Sequence, residues 1–187
     1  MSVLADCDIW HELKYGELDV SPVDYDEQIQ PNSLDIRLGD EFVEYAPDFK
    51  NVVDSKKGID EDKYVEWDWM DSITVDPDDF ILGTTVENFD VPDYLYGQVH
   101  GRSSVGRLGI EIHSTAGLID AGYSGEITLE ISNNSRKPIT LYSGMRIAQV
   151  VFHELKNRST NPYSNKRNKY QGQKGATASR IQEDFEE

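Results

Sequence analysis

Residues 101–131 read GRSSVGRLGIEIHSTAGLIDAGYSGEITLEI, and the rest of the chain is read outward from this stretch. Its last part, Glu126-Ile127-Thr128-Leu129-Glu130-Ile131, alternates strictly between polar and apolar side chains. A period of two marks a half-buried strand, with Ile127, Leu129 and Ile131 turned to a core and Glu126, Thr128 and Glu130 to the other face. On pattern alone the two glutamates are solvated carboxylates on an outer face. The first part, Gly101 to Arg107, gathers Ser103 and Ser104 with Arg102 and Arg107 between glycines. Hydroxyls, fixed cations and a backbone that can approach an anion closely are what a phosphate chain requires. The run is not a P-loop, because the glycine spacing differs and β-branched residues follow where a helical period would be needed. An ordinary surface loop has the same composition, so at this level both readings stand.

Outward from this stretch the chain repeats short β-rich runs. Pro31 to Gly39 alternates, with Leu34, Ile36 and Leu38 facing one way and Asp35 and Arg37 the other, where they could pair on a surface. Phe80 to Glu87 and Tyr94 to His100 give two more strands, split by a turn at Val91-Pro92-Asp93. Pro138 to Leu141 and Met145 to Phe152 continue the series across the turn Tyr142-Ser143-Gly144. Short strands broken at regular spacing by Gly and Pro imply an all-β fold, closed as a jelly roll or β-barrel. Ser2 to Tyr15 reads as a short amphipathic helix stopped by Gly16, inside an N-terminal segment 1–20. The acidic stretch Ala46 to Asp79, which carries Trp67, Trp69 and Met70, reads as an excursion with a hairpin. The whole of 1–187 is expected to be a single domain.

Charge narrows the function classes. Net charge is -17; residues 1–100 hold 26 acidic and 6 basic side chains, and residues 101–187 hold 9 acidic and 12 basic. Such an excess argues against general nucleic-acid binding, which needs a basic footprint. With only 10 lysines it suggests a halophilic source, where salt screens self-repulsion. No run approaches the ~20 apolar residues that span a bilayer, so no membrane partner is expected. The single Cys7 leaves no internal disulfide and fits a reducing cytoplasm. The tail, 155–187, begins with seven basic and no acidic side chains up to residue 182, and is either disordered or a flexible lid.

Four segments together carry a resemblance: GRSSVGR, HSTAGLIDAGYSGEITLEISN, the earlier QPNSLDIRLGDEF and the late KYQGQKGATASR. In this order they resemble the dCTP deaminase branch of the dUTPase superfamily, over roughly residues 28–49 and 80–182. The resemblance implies a dUTPase-like jelly roll with a C-terminal lid, dCTP as substrate, dUTP as product or second substrate, and dTTP as a candidate inhibitor. It also implies a homotrimer with shared active sites, and Mg²⁺ that arrives with the triphosphate and has no protein ligand.

For the residues, the resemblance implies Glu130 as general acid and base, with Ser103 and Arg107 holding water and phosphates. Arg102 and Ser104 join the phosphate loop. Thr115, Ala116 and Ile119 read the pyrimidine through the backbone, Asp120 accepts from the deoxyribose 3'-hydroxyl, and Tyr123 packs beneath the sugar. Tyr163, Lys169 and Gln173 match lid residues that touch nucleotide, Asp35 supports the site, and His113 reads as structural. Zinc deaminases carry His-x-Glu with a later Pro-Cys-x-x-Cys, which a chain with one cysteine cannot supply, so no zinc is expected. Gly117-Leu118, where monofunctional deaminases carry bulky cationic residues, favours a bifunctional enzyme ending at dUMP, with Asp120 or Asp35 and Gln149 orienting a second water. A monofunctional deaminase, a plain dUTPase and a non-catalytic nucleotide-binding regulator are the alternatives.

Overall fold

The computed structural model describes residues 2–113, 115–165 and 168–185. These form helix α1 (Asp6–Tyr15), strand β1 (Asp19–Ser21), the short helix α2 (Tyr25–Gln28), and strands β2 (Ile29–Gln30), β3 (Ser33–Tyr45), β4 (Tyr64–Trp67), β5 (Ser72–Val75), β6 (Phe80–Asp90) and β7 (Leu95–Gly101). Then follow the one-turn helix α3 (Ser103–Gly106) and strands β8 (Ile110–Ile112), β9 (Leu118–Ile119), β10 (Ser124–Asn133), β11 (Ile139–Tyr142) and β12 (Arg146–Glu154). One antiparallel sheet runs β8-β10-β6-β3-β12-β7-β9, with β1 added to β6 and β2 and β4 added to β3. The fold is mostly β, a curled half-barrel, as the alternation and turn spacing predict.

Strand β3 explains the curl. Leu34 to Arg37 pair with β12, Leu38 to Val43 with β6, and Phe42 to Tyr45 with β4, so one strand passes between ladders as it bends. Register shifts fall between Leu38 and Phe42, between Glu126 and Thr128, and between Arg146 and Ala148. Such bulges bend a strand and add twist. The sheet therefore wraps around Leu34, Ile36, Leu38, Phe42, Phe89, Leu129, Ile131, Ile147 and Phe152, all essentially without solvent contact. Truncating any one of them to alanine removes buried surface and leaves a cavity, costing about 2–5 kcal/mol.

Three sequence expectations are corrected. The first helix starts at Asp6, because Val3 is taken into a bridge with His153 and Leu4 N donates to Phe152 O, which leaves Ala5 as the cap. In the stretch 46–79 β4 and β5 do not pair with each other: β4 joins β3 antiparallel in the large sheet, while β5 pairs with β11 in a separate two-stranded sheet. The turn Trp67 to Asp71 separates two pairings made with distant strands, a partition that local propensity does not encode. Asp35 and Arg37 do not pair with each other. They share a strand face, but each has another partner: Arg37 Nε binds Glu87 at 2.7 Å, while Asp35 lies fully buried against Arg102 and Arg146.

Candidate active site

The half-barrel and the tail enclose a cavity of ≈ 490 Å³. One wall is the polar face of β10, which brings Thr128 and Glu130 to it, beside Leu82 and Phe80 of β6. The loop from β8 to β9 contributes His113 and Ala116, and β9 with the following turn contributes Leu118, Ile119, Asp120 and Tyr123. Tyr163, Tyr170, Gln173, Thr177 and Ser179 cover it from the tail. Tyr45 and Tyr64 close the side farthest along the sheet.

Glu130 is half-buried rather than solvated, and the tail is bonded to its neighbours Glu126 and Thr128 on the same face of β10. Gln173 Nε2 donates to Thr128 Oγ1 at 2.5 Å, and the Thr177 amide donates to the same oxygen at 3.1 Å. The Gly175 amide donates to Glu126 Oε2 at 2.7 Å, and Gln173 O accepts from the Glu126 amide at 2.9 Å. Gly125 makes that approach feasible: with φ 139 it sits where a Cβ would come within 2.8 Å of the Gln173 amide nitrogen. Tail residues 171–177 thus lie along β10 as a cover. Lys166 and Arg167, which belong to the basic tail segment of the sequence reading, fall outside the described residues.

His113 stands next to Glu130. Its amide donates to Glu130 O at 2.8 Å, and its ring Nδ1 accepts from the Glu130 amide at 3.3 Å. Burial drives the His113 pKa down, against a smaller upward pull from Glu130 and from a hydrogen bond to the Ala116 backbone. A neutral ring with its proton on Nε2 is the form that fits both contacts. Tyr123 is buried, its hydroxyl donates to Glu126 O, and its ring meets the Tyr163 ring edge-on at 5.7 Å. Burial pushes both phenols up, so both are protonated donors near neutrality. Asp120 is exposed at the rim. Gly117 O accepts from the Val99 amide at 2.7 Å, and a Cβ at Gly117 would come within 2.8 Å of Val99 O. The glycine therefore has a packing reason of its own.

The phosphate-loop residues lie elsewhere. Ser103, Ser104 and Arg107 are exposed on and after α3, away from the cavity lining. Arg102 reaches the buried Asp35: Arg102 Nη2 and Arg146 Nη1 stand 3.2 Å and 3.4 Å from Asp35 Oδ2, while Asp35 Oδ1 has no partner among the described residues. Burial pushes the Asp35 pKa up and the two guanidinium groups pull it down. Gln149 faces Asp35 across the β3–β12 ladder and accepts from Ser33 Oγ at 3.2 Å. Thr115 is exposed outside the lining, and Lys169 pairs with Asp184 at 2.6 Å within the tail.

The fold of one chain therefore brings Glu130, Ala116, Ile119, Asp120, Tyr123, Tyr163 and Gln173 together around the cavity, and sets Arg102, Ser103, Ser104, Arg107 and Gln149 apart. Sequence reasoning missed Tyr45, Tyr64, Tyr170 and Thr128 as lining residues and Arg146 as the second cation on Asp35. Thr128 was findable, since alternation places it on the Glu130 face. Tyr64 had no local signal.

The dCTP deaminase-like family model matches residues 3–155. A dCTP deaminase of Haloarcula marismortui is 46% identical over 189 residues, covering 98% of this chain and 97% of its own. A protein of Methanosphaera stadtmanae named dCTP deaminase, dUMP-forming, is 42% identical over 196 residues, covering 100% of this chain and 97% of its own. Among solved structures, a 2'-deoxycytidine 5'-triphosphate deaminase from Agrobacterium tumefaciens superposes with a TM-score of 0.62 at 26% identity, over 80% of this chain and 47% of that one.

Proposed function

The chain belongs to the dCTP deaminase-like family, and on that premise we propose that it deaminates dCTP and carries the product on to dUMP. The observation that carries the reading is Glu130, a carboxylate placed by β10 inside a covered, largely apolar cavity next to a neutral histidine. The pyrimidine enters between Ile119 and the β10 face, with the deoxyribose over Tyr123 and its 3'-hydroxyl toward Asp120. Glu130 takes a proton from water as the oxygen attacks C4 and delivers it to ring N3. It then takes the proton of the new C4 hydroxyl and passes it to the 4-amino group, so that the C4–N4 bond breaks, ammonia leaves and the C4 carbonyl of uracil remains. One carboxylate serves as both base and acid because each transfer returns it to its starting state.

The triphosphate points out of the cavity toward the rim, where this chain offers few cations. In a homotrimer with shared sites Arg107 of a neighbouring copy adds a cation there and Ser103 and Ser104 add hydroxyl donors, with Arg102 braced by Asp35 behind them. Mg²⁺ enters as part of the nucleotide substrate, held by phosphate oxygens and water. In the second step water attacks the α-phosphorus, pyrophosphate departs, and dUMP is left to serve dTTP synthesis in the cytoplasm. Asp35 is closed in by Arg102 and Arg146, so Asp120 is the acid open to that second water. The name dUMP-forming borne by the Methanosphaera relative supports this step. Product analysis with dCTP and Mg²⁺ tests it: dUMP, pyrophosphate and ammonia in equal amounts are expected, and dUTP accumulating in full proportion to ammonia would reduce the reading to a monofunctional deaminase.

A further inference from the structure

The acidic segment between β3 and β5 has no task in that reaction, yet it meets the tail at two places. On the cavity side Tyr45, at the end of β3, and Tyr64, at the start of β4, face each other across the ladder and stack with ring centroids 5.4 Å apart and planes 20° apart. Both line the cavity together with Tyr170 of the tail. Burial, and after it the nearby hydroxyls of Tyr45 and Tyr170, raises the Tyr64 pKa, as befits a phenol under a cover. On the outer side the turn closed by the Asp54–Gly58 bridge lies against the last described turn, Ile181–Phe185. An added Cβ at Gly58 would come within 2.9 Å of Gln182 Cδ, and Lys56 Nζ stands 5.9 Å from the centre of the Phe185 ring.

Between these two points the tail is tied to itself. The Arg180 amide donates to the Tyr170 hydroxyl at 3.0 Å, Arg180 Nη1 donates to Lys169 O at 2.6 Å, and Lys169 pairs with Asp184 at 2.6 Å. Residues 169–185 are thus a small cross-linked unit able to move as one. Hydrogen bonds to β10 seat the middle of the tail, Gln173 to Thr177, whereas Tyr170 and the far end meet residues 45–64 through aromatic packing and one cation–π contact, weak contacts of the kind that lets a cover open at its edges.

We propose that residues 45–64 form a catch for the C-terminal cover, in which Tyr64 is a positioning residue that sets Tyr170 over the mouth of the cavity and the turn 54–58 receives the far end. The inference rests on the reading of the cavity as the dCTP site and adds to it what decides when that site is closed. Losing the catch lowers the population of the closed form, which raises the apparent Michaelis constant for dCTP more than it lowers turnover in the complexes that do close.

Three full-length variants test this: Tyr64→Ala, Tyr64→Phe, and Gln182→Ala combined with Phe185→Ala. The readouts are the initial rate of tryptic cleavage at the exposed Lys174 without nucleotide, and KM and kcat for dCTP. Tyr64→Ala and the double variant should each be cut about fivefold faster or more, since cleavage follows the open population. KM should rise by a similar factor with a smaller fall in kcat, and Tyr64→Phe, which keeps the stacked ring, should be cut at the wild-type rate. Wild-type cleavage rates in both disruptive variants would overturn the proposal. Should Tyr64→Ala lower the melting temperature, the double variant decides, because its substitutions lie on the tail surface and not in the core. A wild-type protein that leaves dCTP unchanged would sink the deaminase reading while the cleavage rates still judge the catch.

Discussion

Strand alternation aims Glu130 into the cavity, with tail residues lining the same space, and the proposed proton shuttle rests on that placement. Glu130→Gln keeps the shape and removes the shuttle, so deamination should fall by about 10²-fold or more with dCTP binding nearly unchanged. Retention of more than about a tenth of wild-type turnover would assign the base to another group. His113 offers a pH test. Its folded pKa lies below the ordinary 6.5, so the unfolded chain binds a proton that the folded chain refuses. Its contribution to stability is therefore full above about pH 6.5 and is lost as the pH falls through the folded value. His113→Asn preserves an acceptor for the Glu130 amide and suits the left-handed φ of 57 at this position. Melting curves between about pH 7.5 and 5.5 should show a flatter pH dependence in that variant, and an identical slope would place the titration elsewhere.

At the scale of elements, β10 and the tail act as a pair. Thr128 Oγ1 is the single oxygen that takes both the Gln173 side chain and the Thr177 amide. Thr128→Val removes that acceptor while preserving volume, and should raise KM for dCTP about fivefold with little change in melting temperature, since the cover and not the barrel depends on it. Deleting everything from residue 160 should raise KM, lower turnover and leave the barrel folded; an unchanged enzyme would deny the tail any part in the reaction. Elements were legible where period and punctuation agreed. β10, β6 and β12 follow their alternation, and the turn at Val91-Pro92-Asp93 falls where Pro marks it. The excursion was not legible as two unconnected strands, because β4 takes partners 19 to 25 residues back and β5 partners 64 to 70 residues on, and pairing at that range leaves no local pattern.

The whole molecule raises two questions that a single chain answers only by arrangement. Glu130 lines the cavity while Ser103 and Arg107 are exposed outside its lining, so the proposed site needs a second copy to bring them together. Sedimentation should give about three times the 21.3 kDa chain mass, and mixing Glu130→Gln with Arg107→Ala chains should restore part of the activity that each lacks. A fully active monomer would refute the arrangement. The charge of -17 gives the second prediction. Raising salt from about 0.1 M to about 2 M shortens the screening length from ~10 Å to under ~3 Å and relieves self-repulsion, so the melting temperature should climb by several degrees. A melting temperature that stays level or falls would remove the salt adaptation read from composition.

Sequence by itself determined the all-β class, the strand that bears Glu130, and the family. These follow from periods of two, from glycine at positions where backbones approach closely, and from motifs contiguous in the chain, all of which are local in residue order. Only the tertiary structure decided that Asp35 is buried beneath Arg102 and Arg146, that Glu130 and Arg107 part company within one chain, and that Tyr64 shares a wall with Tyr170. Each of these depends on which face of a bent sheet meets which distant segment. A bulge or a change of ladder partner sets that outcome, and no window of neighbouring residues contains it.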